Sequence, residues 1–395
     1  MHQMNSAKEE TYIYSAVRTP IGKFNGALSS LTAPELGSIV ISEATHRAGI
    51  NRDQVDEVIL GNVISAGVGQ APARQAALKS GLSDSIGATT INKVCGSGMK
   101  AVMMADQGIR LNEARFIVAG GMESMSQAPF LVPQMRRGRK LGNAQLIDSL
   151  IRDGLWDHYE NGHMGELSEK VSQQYGISRE SQDTYAISSY QRVKKAQKDG
   201  VLPREIVPVH LNQHGHSFVV NQDEQPDSDD LGQFPFLPSV FDKQGGTITK
   251  GNGAKISDGA AALVVGGESS DLNPIARIVG YATHAQSPAT FALAPIEAVK
   301  KVLEQSRFQL NDIDLFEINE AFAAISLIVH DQLRLDPEKV NVHGGSIALG
   351  HPIGATGARI LVTLINALKS KGLRRGLASL CIGGGEATAM IIEIV

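Results

Sequence analysis

Apolar and polar positions follow one another along the chain in blocks that predict strands and helices in turn. Short runs rich in valine and isoleucine predict strands, and longer runs with apolar residues every three or four positions predict helices. The first third of the chain yields predicted strands at 12–16, 57–60, 88–93 and 116–119, and predicted helices at 33–49, 71–79 and 97–110. Such alternation is typical of an α/β protein with a parallel sheet covered by helices on both faces.

The later part of the sequence repeats the earlier part. Residues 55–62 (VDEVILGN) resemble 313–320 (IDLFEINE), residues 95–102 (CGSGMKAV) match 351–358 (HPIGATGA), and 120–123 (GGME) match 383–386 (GGGE). The offsets are 313 − 55 = 258, 351 − 95 = 256 and 383 − 120 = 263. Three matches in one order at nearly one offset indicate a duplicated half of about 120 residues. We therefore expect one half at 1–124 with 250–272, an inserted domain at 125–249, and a second half at 273–395.

The inserted domain differs from both halves in composition. It contains the basic run 136–140 (RRGRK), two polar helices predicted at 167–175 and 179–198, and the acidic segment 223–230 (DEQPDSDD). Charged runs of this kind are typical of solvated faces. Alternatively, an insertion of this kind forms a binding loop, in which a basic run contacts a phosphate-bearing ligand.

Composition excludes several classes of protein. The 395 residues include 37 Lys and Arg against 41 Asp and Glu, so the net charge is 37 − 41 = −4, which argues against a protein that binds nucleic acid by neutralising phosphates. No apolar run reaches the roughly 18 residues of a membrane span, and the first residues lack the apolar core of a secretion signal. Two cysteines suffice neither for a disulfide framework nor for a zinc site. We expect a cytoplasmic protein with no metal and no membrane segment.

Glycine-rich turns single out four residues that the duplication would bring together. If the halves pack as pseudo-twofold mates, Cys95 and His351 occupy equivalent turns between strand and helix, and Asn319 and Cys381 end neighbouring strands. In α/β proteins, binding sites lie at such strand ends.

Cys95 has the surroundings of a nucleophile. It precedes a predicted helix, whose positive end favours the thiolate, and the flanking glycines leave room for a substrate carbonyl to reach backbone N–H groups. For an isolated cysteine, a buried structural role is the alternative.

The other three residues also have two interpretations each. His351 is suited to be a general base, or is a histidine of the core or surface. Asn319 is suited to hold a water or an oxyanion, and also to cap a helix with Glu320 in its first turn. Cys381 is a second thiol base, or a small hydrophobic residue at a strand end.

The motifs around these residues resemble those of the thiolase family, and the resemblance covers nearly the whole chain. The matching segments are VRTPIGKFNG (17–26), GQAPARQAAL (69–78), INKVCGSGMKA (91–101), AGGMESMS (119–126), HMG (163–165), SDGAAALV (257–264), NEAFA (319–323), GGSIALGHPIGATGARI (344–360) and CIGGGEA (381–387). The resemblance implies a five-layered αβαβα fold, made of two βαβαβαββ halves with an inserted loop domain.

The resemblance also implies a reaction and a role for each residue. Cys95 would be acylated by a CoA thioester while His351 takes its proton, and Cys381 would remove the Cα proton of a second acetyl-CoA. Backbone N–H groups of Cys95 and Gly383 would bind one oxyanion, and His351 with a water held by Asn319 would bind the enolate oxygen. The pocket would be lined by a further set of residues, namely Leu155, His163, Met164, Phe241, Ala254, Ile256, Ala321 and Phe322.

The closest branch of the family is the one that acts on short chains. It implies reversible condensation of two acetyl-CoA to acetoacetyl-CoA and CoA, in fatty-acid or ketone-body metabolism, by a homotetramer or homodimer that needs no cofactor. Three activities remain as alternatives: thiolysis of longer 3-ketoacyl-CoAs in β-oxidation, ketoacyl synthesis on a carrier protein, and a non-catalytic role. The presence of Cys95, Asn319, His351 and Cys381 together argues against the last two.

Three departures from the family pattern affect binding. Ala254 stands where a serine is common, His343 stands where an asparagine is usual, and Pro226 takes the place of a tyrosine found in potassium-responsive members, so we expect no potassium activation. Lysines common near residues 234–241 are also missing, which makes the cations of the basic run candidates for binding the CoA phosphates: Arg136, Arg137, Arg139 and Lys140.

Overall fold

The computed structural model describes residues 10–213 and 215–395, which form two similar halves and an insertion. The first half contains β1 (Thr11–Arg18), β2 (Gly22–Lys23), α1 (Ala33–Arg47), β3 (Glu57–Gly61), α2 (Pro72–Lys79), β4 (Gly87–Ile91), α3 (Ser97–Arg110) and β5 (Phe116–Ser124). The insertion contains β6 (Phe130–Leu131), β7 (Ile147–Asp148), β8 (Trp156–Asp157), β9 (Gly162–His163), α4 (Met164–Gln174), α5 (Arg179–Lys198), β10 (Val209–Gln213) and β11 (His216–Val220). After it come β12 (Ser257–Gly266), β13 (Ala276–Ala285), α6 (Ala294–Ser306), β14 (Leu315–Ile318), α7 (Ala323–Leu333), α8 (Ser346–Leu349), α9 (Ile353–Lys371), β15 (Arg375–Ile382) and β16 (Glu386–Ile394).

The predicted helices at 97–110 and 179–198 are confirmed to the residue. The helix predicted at 33–49 ends two residues early, because Gly49 has a positive φ of 70° that terminates it. The strand predicted at 116–119 continues to Ser124 through two glycines, since the fully buried β5 is paired on both sides and its ladders outweigh the low strand propensity of glycine.

Four strands of each half have the same order, and β4 extends the first half beyond β3. In the first half the order is β3, β5, β12, β1, and in the second it is β14, β15, β16, β13. The two parts join edge to edge where β1 pairs with β13. Between β5 and β12 lies the insertion, whereas β15 and β16 are joined by a short glycine turn. The duplication seen in the sequence is therefore visible in the topology.

The expectation of a parallel sheet is wrong for most of its inner strands. Parallel pairs join β3 to β4, β3 to β5 and β14 to β15, but β5–β12, β12–β1, β15–β16 and β16–β13 are antiparallel. No helix intervenes between β15 and β16, and a strand that returns through a tight turn must run antiparallel.

Three hydrophobic clusters show how the layers stack. One cluster lies between the two sheet parts and contains the facing sides of α3 and α9. A second lies between α1, α2 and the outer face of the first sheet part, and a third lies between α6, α7 and the outer face of the second. The order is helix, sheet, helix, sheet, helix, so the fold is the expected five-layered αβαβα arrangement.

Glycine allows the two halves to approach closely at the start of α9. A Cβ atom on Gly121 of β5 would lie 2.0 Å from the carbonyl oxygen of Gly354, and one on Gly98 of α3 would lie 2.6 Å from the backbone nitrogen of Ala358. Neither distance is compatible with a side chain. The glycines thereby bring the N-terminal ends of α3 and α9 side by side at one edge of the sheet.

A buried cluster of charges connects the insertion to both halves. Arg18 of β1 is fully buried and donates to Glu205 at 2.6 Å and to both carboxylate oxygens of Asp223 at 2.6 and 2.9 Å. Glu205 also accepts from Thr363 and Asn366 of α9. Each buried charge is thus paired and hydrogen-bonded, which is the condition for keeping it inside a protein.

Replacing Arg18 by alanine is expected to reduce the free energy of unfolding by about 3–5 kcal/mol, because two buried carboxylates lose their partner. Urea unfolding followed by circular dichroism measures the change. Arg18→Lys, which keeps the charge without the bidentate geometry, should lose less. A loss below ~1 kcal/mol for the alanine variant would contradict this account, since it would match an exposed pair.

None of the described helices is both long and apolar enough to cross a membrane.

Candidate active site

A cleft of about 630 Å³ opens where the ends of α3, α9 and β15 meet the insertion. Its walls contain nearly all of the predicted site residues: Cys95, Leu155, His163, Met164, Phe241, Ala254, Ile256, Ala321, Phe322, His351, Cys381 and Gly383. Asn319 does not line the cleft and lies buried in the wall. The structure therefore brings together residues from both halves and from the insertion.

Cys95 sits in a tight turn immediately before α3. Val94 has a φ of +45°, a left-handed conformation that costs a β-branched residue about 1–3 kcal/mol. The Ser97 hydroxyl stabilises the turn, because it accepts from the Lys93 N–H at 2.8 Å and donates to the Val94 carbonyl at 2.6 Å. This turn presents the Cys95 sulfur to the cleft.

At Cys95, burial opposes the effect of the helix end on the pKa of the thiol. Although partly accessible from the cleft, the thiol has largely protein surroundings, and this desolvation raises its pKa to about 11. Hydrogen bonds from the backbone N–H groups of Gly383 and of Cys95 itself lower the pKa, but burial outweighs them. Cys95 is therefore a thiol at neutral pH and needs a base.

His351 is a neutral imidazole with a defined tautomer. Burial and the nearby Arg359 guanidinium lower its pKa to about 3. The Thr356 hydroxyl donates to the Pro352 carbonyl at 2.9 Å, so at its 2.6 Å contact with His351 it accepts a hydrogen bond from Nδ1–H. Nε2 is left with its lone pair, which is the form that a general base requires.

Cys381 and Gly383 come from the end of β15. Cys381 is buried, and both burial and the proximity of Cys95 raise its pKa far above that of a free thiol. Beyond it, Gly384 and Gly385 have φ values of 85° and 90°, which other residues rarely adopt. This turn places the Gly383 N–H against the Cys95 sulfur, so the backbone N–H groups of Gly383 and Cys95 are both close to this sulfur.

Asn319 does not cap a helix, so that interpretation is wrong. It directly follows β14, and α7 begins four residues later, with Phe322 as its N-cap. The parallel pairing of Ile318 with Ser379 places Asn319 next to β15, the strand that contains Cys381. Its Oδ1 accepts from Ser346 at 2.6 Å, while its Nδ2 has no hydrogen-bond partner among residues 10–213 and 215–395. The amino group of this buried amide is therefore available as a hydrogen-bond donor.

Glu123 makes hydrogen bonds to both halves of the protein behind the cleft. It lies near the end of β5 and accepts from the N–H groups of Val63, Ile64 and Gly354 at 3.0, 3.2 and 2.9 Å. It also accepts from the Asn62 amide at 2.7 Å. Burial nevertheless raises its pKa to about 7. Gly354 is the second residue of α9, so Glu123 holds the start of this helix, two residues after His351, next to the first half.

Aromatic rings form one wall of the cleft. His163 stacks on Phe241 with ring centroids 4.8 Å apart, and Phe241 meets Phe322 edge-on at 6.2 Å. His163 Nδ1 accepts from the Gly165 N–H at the start of α4, and burial lowers its pKa, so the ring is neutral. The wall suits an apolar chain of the size of pantetheine.

The cations near the cleft are not those of the basic run. Arg136, Arg137, Arg139 and Lys140 are exposed and do not line the cleft, and Arg139 lines a separate cavity of about 530 Å³. Lys23, Lys250 and Lys255 line the cleft instead. Lys23 and Lys250 make no ion pair with any described residue, whereas Lys255 lies 3.9 Å from Asp229. The basic run therefore lies outside the cleft, whereas these three lysines line it, and the phosphate role of the basic run stays a prediction.

Comparison with known proteins identifies the family. The model of the thiolase N-terminal domain matches residues 11–269, and that of the thiolase C-terminal domain matches residues 272–394. The chain belongs to the thiolase family. An Escherichia coli protein named acetyl-CoA acetyltransferase is 50% identical over 387 residues, which cover 96% of this chain and 98% of the relative.

Solved structures agree with this assignment. The crystal structure of the Bacillus anthracis acetyl-CoA acetyltransferase superposes with a TM-score of 0.96 at 41% identity and covers 99% of this thiolase and 100% of that chain. An Ascaris suum thiolase in complex with coenzyme A has a TM-score of 0.92 at 45% identity, with coverages of 98% and 100%.

Two of the three departures from the family pattern, Ala254 and His343, lie in different parts of this thiolase. Ala254 lines the cleft and its N–H donates to the Ala321 carbonyl, so the backbone of this segment remains attached. His343 lies outside the cleft, where its Nε2 is 3.4 Å from the Ser370 hydroxyl and burial lowers its pKa to about 4. His343 therefore does not join the polar network of His351.

Sequence reasoning missed several functional residues of the thiolase. Thr356 sets the tautomer of His351, Val94 forms the strained turn, and Glu123 joins the halves. Glu123 could have been found as an acidic residue inside an apolar strand. For Val94 and Thr356 no local signal exists, because their roles depend on φ and on a contact between side chains.

Proposed function

We propose that this thiolase is an acetyl-CoA C-acetyltransferase, which joins two acetyl-CoA into acetoacetyl-CoA and releases CoA. The observation that carries the proposal is the meeting of Cys95, Cys381 and neutral His351 in one cleft with two converging backbone donors. Relatives that bear this name and cover nearly the whole chain support it.

The first half-reaction acetylates Cys95. The sulfur attacks the thioester carbonyl as His351 Nε2 takes the thiol proton, and the oxyanion forms between the N–H groups of Cys95 and Gly383. Because the resting groups are a thiol and a neutral imidazole, the proton moves as the carbon–sulfur bond forms. The oxyanion then collapses, the bond to CoA breaks, and His351 returns the proton to the departing CoA sulfur.

The second half-reaction forms the carbon–carbon bond. The Cys381 thiol first gives its proton to His351 Nε2, which is free again after CoA has left. The resulting thiolate removes a Cα proton from a second acetyl-CoA, and burial makes this thiolate a stronger base than a free one. The enolate oxygen is held by the Nε2–H of His351, which now carries the Cys381 proton, and by a water on Asn319. The enolate carbon attacks the acetyl group, the bond to Cys95 breaks as its sulfur takes the proton from His351 Nε2, and acetoacetyl-CoA leaves. In the opposite direction the same steps perform thiolysis.

Chain length is tested by thiolysis of 3-ketoacyl-CoAs from four to sixteen carbons with free CoA, followed by loss of the enolate absorbance. A strong preference for acetoacetyl-CoA is expected, because Met164 and the aromatic wall of His163, Phe241 and Phe322 border the cleft. Equal or faster rates on long chains would instead assign the enzyme to β-oxidation.

The lysines at the cleft provide a second test. Lys250→Glu is expected to raise KM for acetyl-CoA about tenfold, or ~1.4 kcal/mol, with little change in kcat, because a phosphate-bearing part of the substrate would lose an attractive charge. The effect should shrink at high ionic strength. Arg136→Glu makes the same change on the exposed run outside the cleft and should leave KM unaltered. Equal effects of both variants would argue against a local phosphate contact.

We also propose that the enzyme is a homotetramer and that it is cytoplasmic. Support for assembly comes from apolar side chains that the insertion exposes, among them Phe130, Leu141 and Leu146, since exposed apolar patches mark association surfaces. Support for a reducing compartment comes from the chemistry, which uses Cys95 and Cys381 as free thiols.

A further inference from the structure

A line of buried polar side chains leads from the strand β14 to the Asn319 amide. Glu317 of β14 and Arg359 of α9 form an ion pair at 2.9 Å, with both side chains about fully buried. Arg359 Nη2 donates to the Ser346 hydroxyl at 2.7 Å, and that hydroxyl lies 2.6 Å from Asn319 Oδ1. The line therefore joins a charged pair in the core to the side chain next to Cys381.

The chemistry of these groups determines the direction of every hydrogen bond. A guanidinium can only donate, so the Ser346 oxygen accepts from Arg359. The single hydroxyl proton of Ser346 then points at Asn319, and the atom that receives it must be the amide oxygen and not the nitrogen. Since Oδ1 is engaged and Nδ2 has no hydrogen-bond partner among the described residues, Nδ2 is the free donor of Asn319.

We propose that Ser346 is a positioning residue, which orients the Asn319 amide so that its N–H donor, through the water described above, stabilises the enolate oxygen. The inference rests on the proposed function, because it assigns Asn319 to the second half-reaction. The ion pair acts as the anchor: Glu317 fixes Arg359, Arg359 fixes the Ser346 oxygen, and Ser346 leaves one orientation of the amide. Without the hydroxyl, the amide can rotate about its terminal bond and present oxygen to the developing oxyanion, which would repel it.

The test separates the two half-reactions in the full-length protein. Ser346→Ala is expected to acetylate Cys95 at the wild-type rate, measured as the burst of CoA released from acetyl-CoA. Condensation, and exchange of the acetyl-CoA methyl protons into deuterated water, should slow by on the order of 10- to 100-fold. Asn319→Asp, which keeps the acceptor for Ser346 but lacks the N–H donor, should show the same selective loss.

A double variant tests whether Ser346 acts through Asn319, and a matched variant serves as the control. If Ser346 acts through Asn319, the double variant Ser346→Ala/Asn319→Ala should be no slower than Asn319→Ala alone. Ser379→Ala removes another fully buried hydroxyl, which donates to the Thr388 carbonyl, and should leave proton exchange unchanged. Equal loss of both half-reactions in Ser346→Ala, additive losses in the double variant, or normal exchange in Asn319→Asp would each overturn the proposal. A wild-type protein that acetyl-CoA does not acetylate would instead overturn the proposed function.

Discussion

Replacing Cys95 by alanine is expected to abolish formation of the acetyl-enzyme and to lower kcat by at least about 10⁴-fold in both directions, because no other group can form the thioester intermediate. The remaining site would still bind CoA thioesters, since the lysines and the aromatic wall do not depend on the sulfur. Intact-protein mass spectrometry after incubation with acetyl-CoA detects the acetyl group directly.

Cys95→Ser is the matched variant for this prediction. It places a hydroxyl oxygen where the sulfur was, next to the backbone N–H groups of residue 95 and Gly383. Because a hydroxyl ionises far less readily than a thiol, only a small residual rate is expected. Acetylation of Cys95→Ala to the wild-type level, with the label mapped to another residue, would show that the nucleophile is misassigned.

Replacing Cys381 by alanine is expected to separate the two half-reactions. The acetyl-enzyme should still form, because Cys95, His351 and the two backbone donors remain in place. Condensation and thiolysis of acetoacetyl-CoA should both fall by on the order of 10³-fold or more, because the base that moves the Cα proton is lost. A CoA burst equal to one turnover with little steady-state rate is the expected kinetic pattern.

Two comparisons give this second prediction its specificity. Cys381→Ser keeps the shape of the strand end but supplies a much weaker base, so it should also acetylate without condensing. Exchange of methyl protons into deuterated water should be lost in both variants. Normal condensation by Cys381→Ala would show that another group, such as His351, removes the Cα proton.

Much of the site could be found from the sequence because the residues involved carry chemistry in local motifs. Cys95 and His351 lie in glycine-rich turns at matching positions of the two repeats, and Cys381 precedes three glycines. The helix at 97–110 and the one at 179–198 follow from periodicity alone, since each is amphipathic or capped within its own segment.

The pKa of Cys95 and the positions of the charged side chains around the cleft could not be predicted in this way. The sequence places Cys95 at a helix end, which favours a thiolate, but the packed halves desolvate the sulfur and raise its pKa to about 11. The lysines at the cleft were also missed, because Lys23, Lys250 and Lys255 come from separate segments of the chain. Desolvation and the meeting of distant segments depend on packing, which no local pattern records.

The sequence by itself determined the two repeated halves, the αβαβα class through the resemblance to thiolases, and the four candidate reactive groups, because repeats and motifs are properties of residue order. Only the tertiary structure decided how those groups work. The tautomer of His351 depends on Thr356, and the free donor of Asn319 depends on Ser346 and Arg359. These contacts join side chains that approach one another once the halves are packed, and hydrogen bonds with fixed directions then leave each catalytic group one orientation.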